Sequence, residues 1–447
     1  MESGGGKLME KRFRRWDPGQ ALLLPSSVED FVPPGHPARL IRDLVCEELE
    51  LSAVLSAYEE RRGQPPYHPV MMTALLMYAY SAGVFSSRKI ARACLERVDF
   101  MAVTAVEKPD FRTEGAFRKR HLNALEGLFV QVLRLCRRAG LVKLVHVALD
   151  GTRIQANASK HKAMSYERMC SEEERLAREV ADWMRRAEEI DAEEDERFGP
   201  DSSGDEVPDW MKSKEKRLAK IREAKEALER EAKEERRKKL KGEAKTKSGE
   251  KKQEMRATGK PPAKAQRNFT DPDSRILRDR NGFVQGYNCQ AAVDSTAQVV
   301  VSLGVSAAQL DAPQMLPLVD QLRRNLNGQA REVSADAGYC TEDNIKGLSR
   351  RRIRAYIATG RHKHGDKGPS AMRNWRGPWT SAMATRLARA GRRTRYRLRK
   401  LVVEPVFGQI KECLGFRRFL LRGIENVRSE WSLVCTAHNL RKLLFAR

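Results

Sequence analysis

The sequence predicts an α/β protein in which a mixed-sheet core carries a helical insertion and follows an all-α N-terminal domain. Three observations support this fold class. Apolar residues recur at helical spacing over residues 38–141, strand-like apolar runs begin at residue 141 and return after residue 271, and a charged amphipathic stretch separates the two strand regions. Because one core rarely grows beyond ~250–300 residues, the 447 residues are expected to form more than one folding unit.

The predicted N-terminal domain comprises residues 1–140 and contains two short basic helices. Ser86-Ser87 can cap the first helix, and Asp110 or Thr113 can cap the second. Such helices are typical of a helix-turn-helix DNA-binding domain, but a helical dimerisation module with solvated basic faces fits the pattern equally well. The basic side chains on these helices are Arg88, Lys89, Arg92, Arg118, Lys119, Arg120 and His121.

The predicted mixed-sheet core comprises residues 141–165 and 266–447. Residues 142–149 form a near-continuous apolar run that ends at Asp150-Gly151, which is typical of a central strand buried on both faces. We expect the later part to contribute, in chain order, a hairpin of strands at 284–293 and 298–305, a helix at 311–326, a strand at 332–335 that ends at Asp336, a helix after Thr341 and a strand at 353–357.

Residues 166–265 are predicted to form a charged insertion in this core. Apolar stripes over residues 166–190 and 218–228 predict an antiparallel helical hairpin, with a break at 198–208. The Lys- and Arg-rich run at 233–264 has almost no large apolar residues, so we expect it to be mobile. It is either a solvated linker or a segment that embraces DNA through sequence-independent, salt-dependent contacts.

The chain carries 85 Lys and Arg against 60 Asp and Glu, which gives a net charge of +25. Residues 351–447 alone contain 24 Lys and Arg and only five Asp and Glu. A polyanion is the partner that such a surface attracts. Apolar segments at 401–403 and 431–434 interrupt this basic stretch, which favours a folded nucleic-acid surface over a ribosome-like basic tail.

The eight cysteines include no CxxC pair and no Cys/His cluster with zinc spacing, so we expect reduced thiols. The first residues lack the apolar core of a signal peptide. The longest apolar stretch, at 70–85, is too short to cross a bilayer. A soluble, cytoplasmic protein without a membrane partner is therefore expected.

Three acidic residues are candidates for one metal site. Asp150 and Asp336 each follow an apolar run at the predicted carboxyl end of a buried strand, and Glu404 is the only acid among eleven Lys and Arg between residues 373 and 411. Carboxylates without a convergent His or Cys favour Mg²⁺ or Mn²⁺ over zinc. Two such ions ~4 Å apart can hold the attacking and the leaving oxygen of a phosphodiester displacement.

Glu404 and Lys411 are seven residues apart and would share one face of an α-helix, which would let the lysine neutralise a phosphate near the metal. Pro405 removes a backbone donor and disfavours the α conformation at residue 404. We therefore expect the helix to start or to kink here. The relation of Glu404 to Lys411 is accordingly safer than its relations to Arg397 and Lys400.

Longer motifs surround these acids, and together they resemble a known family. They are Leu-Pro-Ser-Ser and Val-Pro-Pro-Gly-His within 24–36, Ala-Leu-Asp-Gly-Thr-Arg at 148–153 with Ala-Asn at 156–157, Thr-Asp-Pro-Asp-Ser-Arg at 270–275, Gly-Tyr-Asn-Cys-Gln-Ala-Ala-Val-Asp at 286–294, Ala-Asp-Ala-Gly-Tyr at 335–339, Val-Glu-Pro-Val-Phe-Gly-Gln-Ile-Lys at 403–411 and Gly-Phe-Arg-Arg-Phe at 415–419. From about residue 20 to the C-terminus, the chain resembles the DDE transposases of bacterial insertion sequences, in the ribonuclease-H-like, retroviral-integrase-like superfamily.

This resemblance implies a ribonuclease-H-like core and a catalytic, metal-binding triad of Asp150, Asp336 and Glu404, with Mg²⁺ as the cofactor and Mn²⁺ as a substitute. In one branch of the family, the glutamate helix has the pattern Tyr, two residues, Arg, three residues, Glu, six residues, Lys. Glu404 and Lys411 match this spacing, whereas the tyrosine falls one position early and a lysine takes the arginine position. The candidate DNA-binding residues are therefore Lys411, Arg397, Arg399, Lys400 and Tyr396.

The function that the resemblance implies is transposition, in which DNA is cut at the terminal inverted repeats of an insertion sequence and the ends are transferred to target DNA. The N-terminal helices would recognise the repeats. The partners would be double-stranded DNA and at least one further copy of the chain, at the bacterial nucleoid in the cytoplasm. Two alternatives are a DNA-binding protein derived from such an enzyme that no longer cuts, and a related nuclease without strand-transfer activity.

Some other polar and aromatic residues invite a functional interpretation, but structural roles are expected for them. Asp271 and Asp273 lie beside Pro272 and are expected to form a turn rather than to approach the metal. For His362 and His364 a solvated loop is expected, with phosphate binding as the alternative. For Trp375 and Trp379 ordinary packing is expected, with base stacking as the alternative.

Overall fold

The structure is a computed structural model that describes residues 27–58, 66–198, 209–243, 260–279, 282–360, 377–390 and 395–446. Several sequence-based predictions lie outside the described residues. They concern the start of the 24–36 motif, the helix break at 199–208, the middle of the basic run at 244–259, and the residues His362, His364 and Trp375.

A mixed sheet forms the centre of the molecule, as predicted. The strands are β1 (His146–Gln155), β2 (Ala163–Ser165), β3 (Gln266–Asn268), β4 (Arg275–Asp279), β5 (Gly282–Asp294), β6 (Val300–Ser306), β7 (Glu332–Ala335) and β8 (Arg354–Ile357). In the main sheet, β1 lies between β5, which is antiparallel to it, and β7, which is parallel to it, and β8 follows β7 in parallel. Both β4 and β6 pair with β5, on different halves of that long strand.

Helices precede, interrupt and cover this sheet. Seven of the described helices come before β1: α1 (Pro37–Glu47), α2 (Ser52–Leu55), α3 (Pro69–Ser81), α4 (Ser87–Glu96), α5 (Val98–Thr104), α6 (Phe111–Arg120) and α7 (Leu122–Arg138). The later ones are α8 (Tyr166–Phe198), α9 (Asp209–Glu243), α10 (Met315–Leu326), α11 (Glu342–Arg350), α12 (Pro378–Ala390), α13 (Leu398–Gly408) and α14 (Ile424–Phe445). Among the described helices, none combines the length and the low charge that a bilayer-spanning helix needs.

The caps that the sequence offers explain where several helices begin. The Asp110 side chain accepts the Thr113 N–H at 2.6 Å, so Asp110 is the cap of α6 and Thr113 lies inside the helix. Thr341 caps α11 in the same way, through the Asn344 N–H at 3.2 Å. Ser86 holds the cap position of α4 without a side-chain hydrogen bond. The predicted helix starts therefore hold at these three places.

The C-terminal helix α14 ties the N-terminal helices to the sheet. It packs against α3, α7 and β6, and the buried apolar residues of all these elements belong to one continuous core. The Asn439 amide bonds both backbone groups of Val300, each at 2.8 Å, and the Trp431 indole donates to the Gln290 carbonyl at 3.1 Å. The helices before β1 and the mixed sheet thus share their interior.

The insertion between β1 and β5 forms the predicted antiparallel hairpin of α8 and α9, next to the small sheet of β2 and β3. It has its own hydrophobic cluster, to which Met169, Leu176 and Ile221 contribute. Ion pairs across the hairpin, such as Glu179 with Lys214 at 2.7 Å, add to this packing. Because α9 continues to Glu243, the first part of the basic run, residues 233–243, is helical.

The expected limits of the first strand are also wrong. β1 begins at His146, four residues later than predicted, and continues beyond Asp150 to Gln155. Val142 and Leu144 are buried in the core without being part of a strand, and an apolar run alone cannot show this difference. Beyond Asp150 the strand continues because β5 remains its partner, with Asp150 opposite Ala291 and the last pair joining Gln155 and Gly286.

Candidate active site

The register of β1 and β7 places two of the predicted acids next to each other. The last parallel pair joins Leu149 and Ala335, so Asp150 and Asp336 each follow directly after that pair. Asp336 stands at the end of β7, whereas Asp150 lies in the middle of β1, and its predicted place at a strand end is therefore wrong. Because parallel neighbours run in the same direction, the two acids still lie side by side, at the point where β7 ends.

The side chains of both aspartates are held by hydrogen bonds from backbone N–H groups. Asp336 Oδ1 accepts the Gly338 N–H at 2.9 Å and so begins the short 3₁₀ turn Ala337–Tyr339. Asp150 Oδ1 accepts the N–H of Gly151 at 2.8 Å. In each case one oxygen is fixed by the backbone, and the other can serve a further partner.

Glu404, the third predicted acid, lies on α13, which packs against β1. Arg399 connects it to the sheet, since Nη1 of this arginine bonds Asp150 Oδ2 and Nη2 lies 3.3 Å from Glu404 Oε1. The Arg399 side chain is 10% exposed, compared with 44% for Glu404. Arg399 thus bonds two of the three predicted acids, Asp150 and Glu404, while Asp336 acts on the same guanidinium through its charge.

Burial, and after it the charges of neighbouring acids, raises the pKa values of the two aspartates. Burial raises the pKa of Asp150 to about 6, and the charges of Asp336 and Glu404 raise it as well, while Arg399 acts in the opposite direction. The pKa of Asp336 is also raised, first by burial and then by the charge of Asp311. The site is therefore a crowded, partly desolvated group of carboxylates in which positive charge is favourable.

The helix that carries Glu404 runs through Pro405 instead of starting there. α13 begins at Leu398, seven residues before the proline, and a π-helical turn (Gln409–Cys413) follows its end. Pro405 cannot donate to the Leu401 carbonyl, and the Gln298 side-chain amide takes its place at 3.0 Å. This substitution explains how a proline is accommodated inside the helix. Of the two expected alternatives, a start or a kink at Pro405, the start is wrong.

Lys411 lies in the π-helical turn, where the α-helical spacing from Glu404 no longer applies. Its Nζ donates to the Arg153 carbonyl of β1 at 2.8 Å, and burial lowers the pKa of this lysine. The structure therefore anchors Lys411 to the strand that carries Asp150.

The other candidate DNA-binding residues differ in how far their side chains are exposed to solvent. Arg397, just before α13, and Lys400, on its first turn, are exposed, whereas Arg399 is buried among the acids. The Tyr396 ring lies next to this arginine, with its centroid 5.9 Å from the guanidinium carbon. On the N-terminal helices, Arg118 and His121 are buried and unavailable as surface charges, while the exposed basic side chains are Arg88, Lys89, Arg92, Lys119 and Arg120.

Sequence reasoning missed a fourth acid at the site, Asp311, which precedes α10. Its Oδ1 accepts hydrogen bonds from Asn288 at 2.6 Å and from Gln290 at 2.8 Å. One signal for it was available, because these two polar residues alternate in an otherwise apolar strand, which puts both on one buried face. Only the loop after β6, however, brings Asp311 to that face.

Asp271 and Asp273, in contrast, have the structural role that was expected of them. Asp271 is buried and accepts hydrogen bonds from the Tyr287 hydroxyl at 2.8 Å and the Gly423 N–H at 3.1 Å. Asp273 Oδ2 accepts the Ile424 N–H at 2.9 Å. Together they satisfy backbone donors at the start of α14.

The donor set of the site suits a hard divalent cation, since it consists of carboxylates alone. Within the described part of the chain, however, no three His, Cys, Asp or Glu side chains are close enough together to hold a metal ion. Arg399 lies between Asp150 and Glu404 and bonds both. The acids fit a metal chemically, but two of them are paired with the guanidinium.

Two family models match the chain. Residues 26–120 match a family described as a transposase domain (DUF772), and residues 252–440 match one described as a transposase DDE domain. The second match includes Asp311, Asp336, Glu404 and Lys411, whereas Asp150 lies between the two matches. Comparisons with curated proteins and with solved structures found no match.

Proposed function

Because this chain belongs to the DDE transposases, with a mixed sheet that is their ribonuclease-H-like core, we propose that it cuts DNA at the inverted repeats of an insertion sequence and transfers the ends to target DNA. The observation that carries the proposal is the convergence of Asp150 and Asp336, from neighbouring strands, with Glu404 from α13. Acids from three distant parts of the sequence would thus contribute to one site.

Asp150, Asp336 and Glu404 would hold Mg²⁺, or Mn²⁺ in its place, and the bound ions would activate the attacking oxygen and neutralise charge on the phosphate. In the cleavage step, water attacks phosphorus, the bond to the 3′ oxygen breaks and a 3′-hydroxyl is released. In the transfer step, this hydroxyl attacks a phosphate of the target strand and displaces the 3′ oxygen there. One site serves both reactions because both are displacements at phosphorus.

The surrounding cations would position the DNA backbone. Arg397, which caps the helix that carries Glu404, and Lys400, on that helix, are exposed and can contact phosphates. The Lys411 ammonium has two donors left beyond its bond to Arg153, which suits a phosphate close to the acids. Tyr396 and Arg399 would order the start of α13 and the acids themselves.

Transposition requires two element ends in one complex, so we propose at least a dimer on double-stranded DNA. The exposed Arg88, Lys89 and Arg92 of α4 are candidates for recognising the inverted repeats, or for a dimer contact on the same helical region. The protein would act on DNA in the bacterial cytoplasm, at the nucleoid.

The proposal is tested by cleavage of DNA that carries the element ends, taken from the genomic flanks of the reading frame, with Mg²⁺. We expect Asp336→Asn to lower cleavage about a thousandfold, because the metal contributes several kcal/mol to the displacement. Asp320→Asn is the matched control, since Asp320 pairs with Arg351 on α10 and α11. Undiminished cleavage by Asp336→Asn would refute the assignment.

A second candidate function is a DNA-binding protein that no longer cuts, favoured by the pairing of Arg399 with two of the three acids. DNA binding without cleavage by the wild-type protein would support it. Cleavage without joining to target DNA would instead identify a nuclease that lacks strand transfer.

A further inference from the structure

We propose that Asp311 is a fourth carboxylate of the metal centre and binds the ion on the Asp336 side of the cluster. The inference rests on the proposed function, because it adds a ligand to the same site. It differs from that function in the residue it names, and the two can be tested separately.

The carboxylate of Asp311 is fixed from behind by side chains of the sheet. Asn288 and Gln290 donate to Oδ1 at 2.6 Å and 2.8 Å, and Gln290 Nε2 also bonds Asn288 Oδ1 at 2.9 Å. Both amides are fully buried on β5. A carboxylate held by two buried donors has a defined orientation, so its second oxygen points in a set direction.

That second oxygen lies beside Asp336. A β-carbon placed on Gly338 would be 3.0 Å from Asp311 Oδ2 and 3.0 Å from Asp336 Oδ1. Oxygens of both carboxylates therefore border the space that the missing glycine side chain leaves open. Asp311 also approaches β1 at Gly151, next to Asp150. A β-carbon on Gly151 would be 2.9 Å from Asp311 Oδ1.

The charge balance of this cleft favours a cation. The Asp311 side chain is 13% exposed, and the nearest positive group in its ion pairs is Nη2 of Arg153, 3.8 Å from Oδ2. Two partly desolvated carboxylates at this separation repel each other, and one hard cation bound between them removes that repulsion. Oδ2 of Asp311 is thus placed to serve as a ligand together with Asp336.

The test is Mn²⁺ binding by the purified protein without DNA, measured from the electron paramagnetic resonance signal of the free ion. In Asp311→Asn the side-chain oxygen can still accept from Asn288 and Gln290, so the variant keeps the local hydrogen bonds and replaces Oδ2 with an NH2 group that cannot bind a metal ion. We expect its dissociation constant for Mn²⁺ to rise at least about tenfold, the effect of losing one oxygen ligand. Asp320→Asn, on the surface, should bind Mn²⁺ like the wild type.

Asp336→Asn separates this inference from the proposed function. If Asp336→Asn weakens Mn²⁺ binding and Asp311→Asn does not, the fourth ligand is refuted and the triad stands. If the wild-type protein does not bind Mn²⁺, or if Asp336→Asn binds it normally, the proposed metal centre fails and the fourth ligand fails with it.

Gly338→Ala is a second variant that leaves every carboxylate in place. Gly338 has no positive φ, so alanine is compatible with the backbone, but its methyl group would enter the space between Asp311 and Asp336. We expect a several-fold loss of Mn²⁺ affinity. If Asp311→Asn does not fold, unchanged affinity in Gly338→Ala refutes the inference.

Discussion

Arg399 is the residue whose position most affects the chemistry of the site. Its guanidinium bonds Asp150 and Glu404 and is largely withdrawn from solvent. A guanidinium and a divalent cation use the same carboxylate oxygens, so each weakens the binding of the other. In the protein without DNA, Arg399 is therefore expected to compete with the metal.

Replacing Arg399 with glutamine tests this competition. We expect Arg399→Gln to bind Mn²⁺ about tenfold more tightly than the wild type in the absence of DNA, because the ion no longer displaces a charge-assisted contact of ~1.4 kcal/mol. Titration calorimetry measures the change. Arg397→Gln, at the exposed position just before the same helix, is the control and should have little effect. Weaker binding by Arg399→Gln would show that the guanidinium supports the metal site.

The protonation of Asp150 gives a prediction about pH. Burial raises the pKa of this group to about 6, above its value in the unfolded chain. The folded state therefore holds the proton more tightly, and the resulting stability is present below about pH 4 and is lost as the pH rises through about 6. Relative to Asp150→Asn, the free energy of unfolding of the wild type should fall by roughly 2 kcal/mol from about pH 4 to about pH 7. Urea unfolding in EDTA measures it, and a pH-independent difference would contradict the prediction.

Among the secondary-structure elements, α13 depends most on a partner outside itself. Its interior proline leaves the Leu401 carbonyl without a helical donor, and Gln298, in the turn between β5 and β6, supplies one. The same side chain accepts a hydrogen bond from Lys442 of α14 at 2.9 Å. The helix that carries Glu404 is thus held in place by two other elements.

Gln298→Asn should weaken this support. Residue 298 has a φ of 59°, which asparagine tolerates, but the shorter side chain cannot reach Leu401. We expect a loss of about 1 kcal/mol in the free energy of unfolding, the usual worth of one hydrogen bond, measured by urea denaturation. Gln131→Asn is the matched control, since Gln131 Nε2 also donates to a backbone carbonyl, the exposed one of Glu50, at 2.9 Å. An equal loss in both variants would mean that the proline site is not special.

For the whole molecule, α14 determines how the parts behave together. The helices before β1 and the mixed sheet pack against this one helix and share a hydrophobic core. The α8–α9 hairpin has a core of its own. We therefore expect the N-terminal helices and the sheet to unfold together, since neither keeps its apolar surface buried without α14.

Asn439→Ala is the test at this scale. The change removes two buried hydrogen bonds to Val300 and should cost about 3 kcal/mol, shifting one calorimetric transition that includes the N-terminal helices and the sheet. The control is Asn426→Ala, since the Asn426 amide bonds the Arg422 carbonyl at an exposed position, and its effect should be small. Two separate transitions in the Asn439 variant would refute the shared core.

Local chemistry explains which features were predictable. Helix starts at Asp110 and Thr341, the hairpin of β5 and β6, and the strand before Asp336 follow from side chains and periodicity within a few residues of each element. The path of β1 through Asp150 was not predictable in this way. It depends on pairing with residues of β5, about 140 positions later in the chain.

The sequence by itself determined the mixed α/β class, the helical insertion, the basic surface and the three acids worth testing, because composition, periodicity and motif are properties of neighbouring residues. Only the tertiary structure decided that Asp150 and Asp336 both follow the last pair of β1 and β7, that Arg399 bonds two acids and that Asp311 lies near Asp336. The physical reason is that strand register and side-chain direction are set by packing between distant segments, whose free energy is not encoded in any single stretch of the chain.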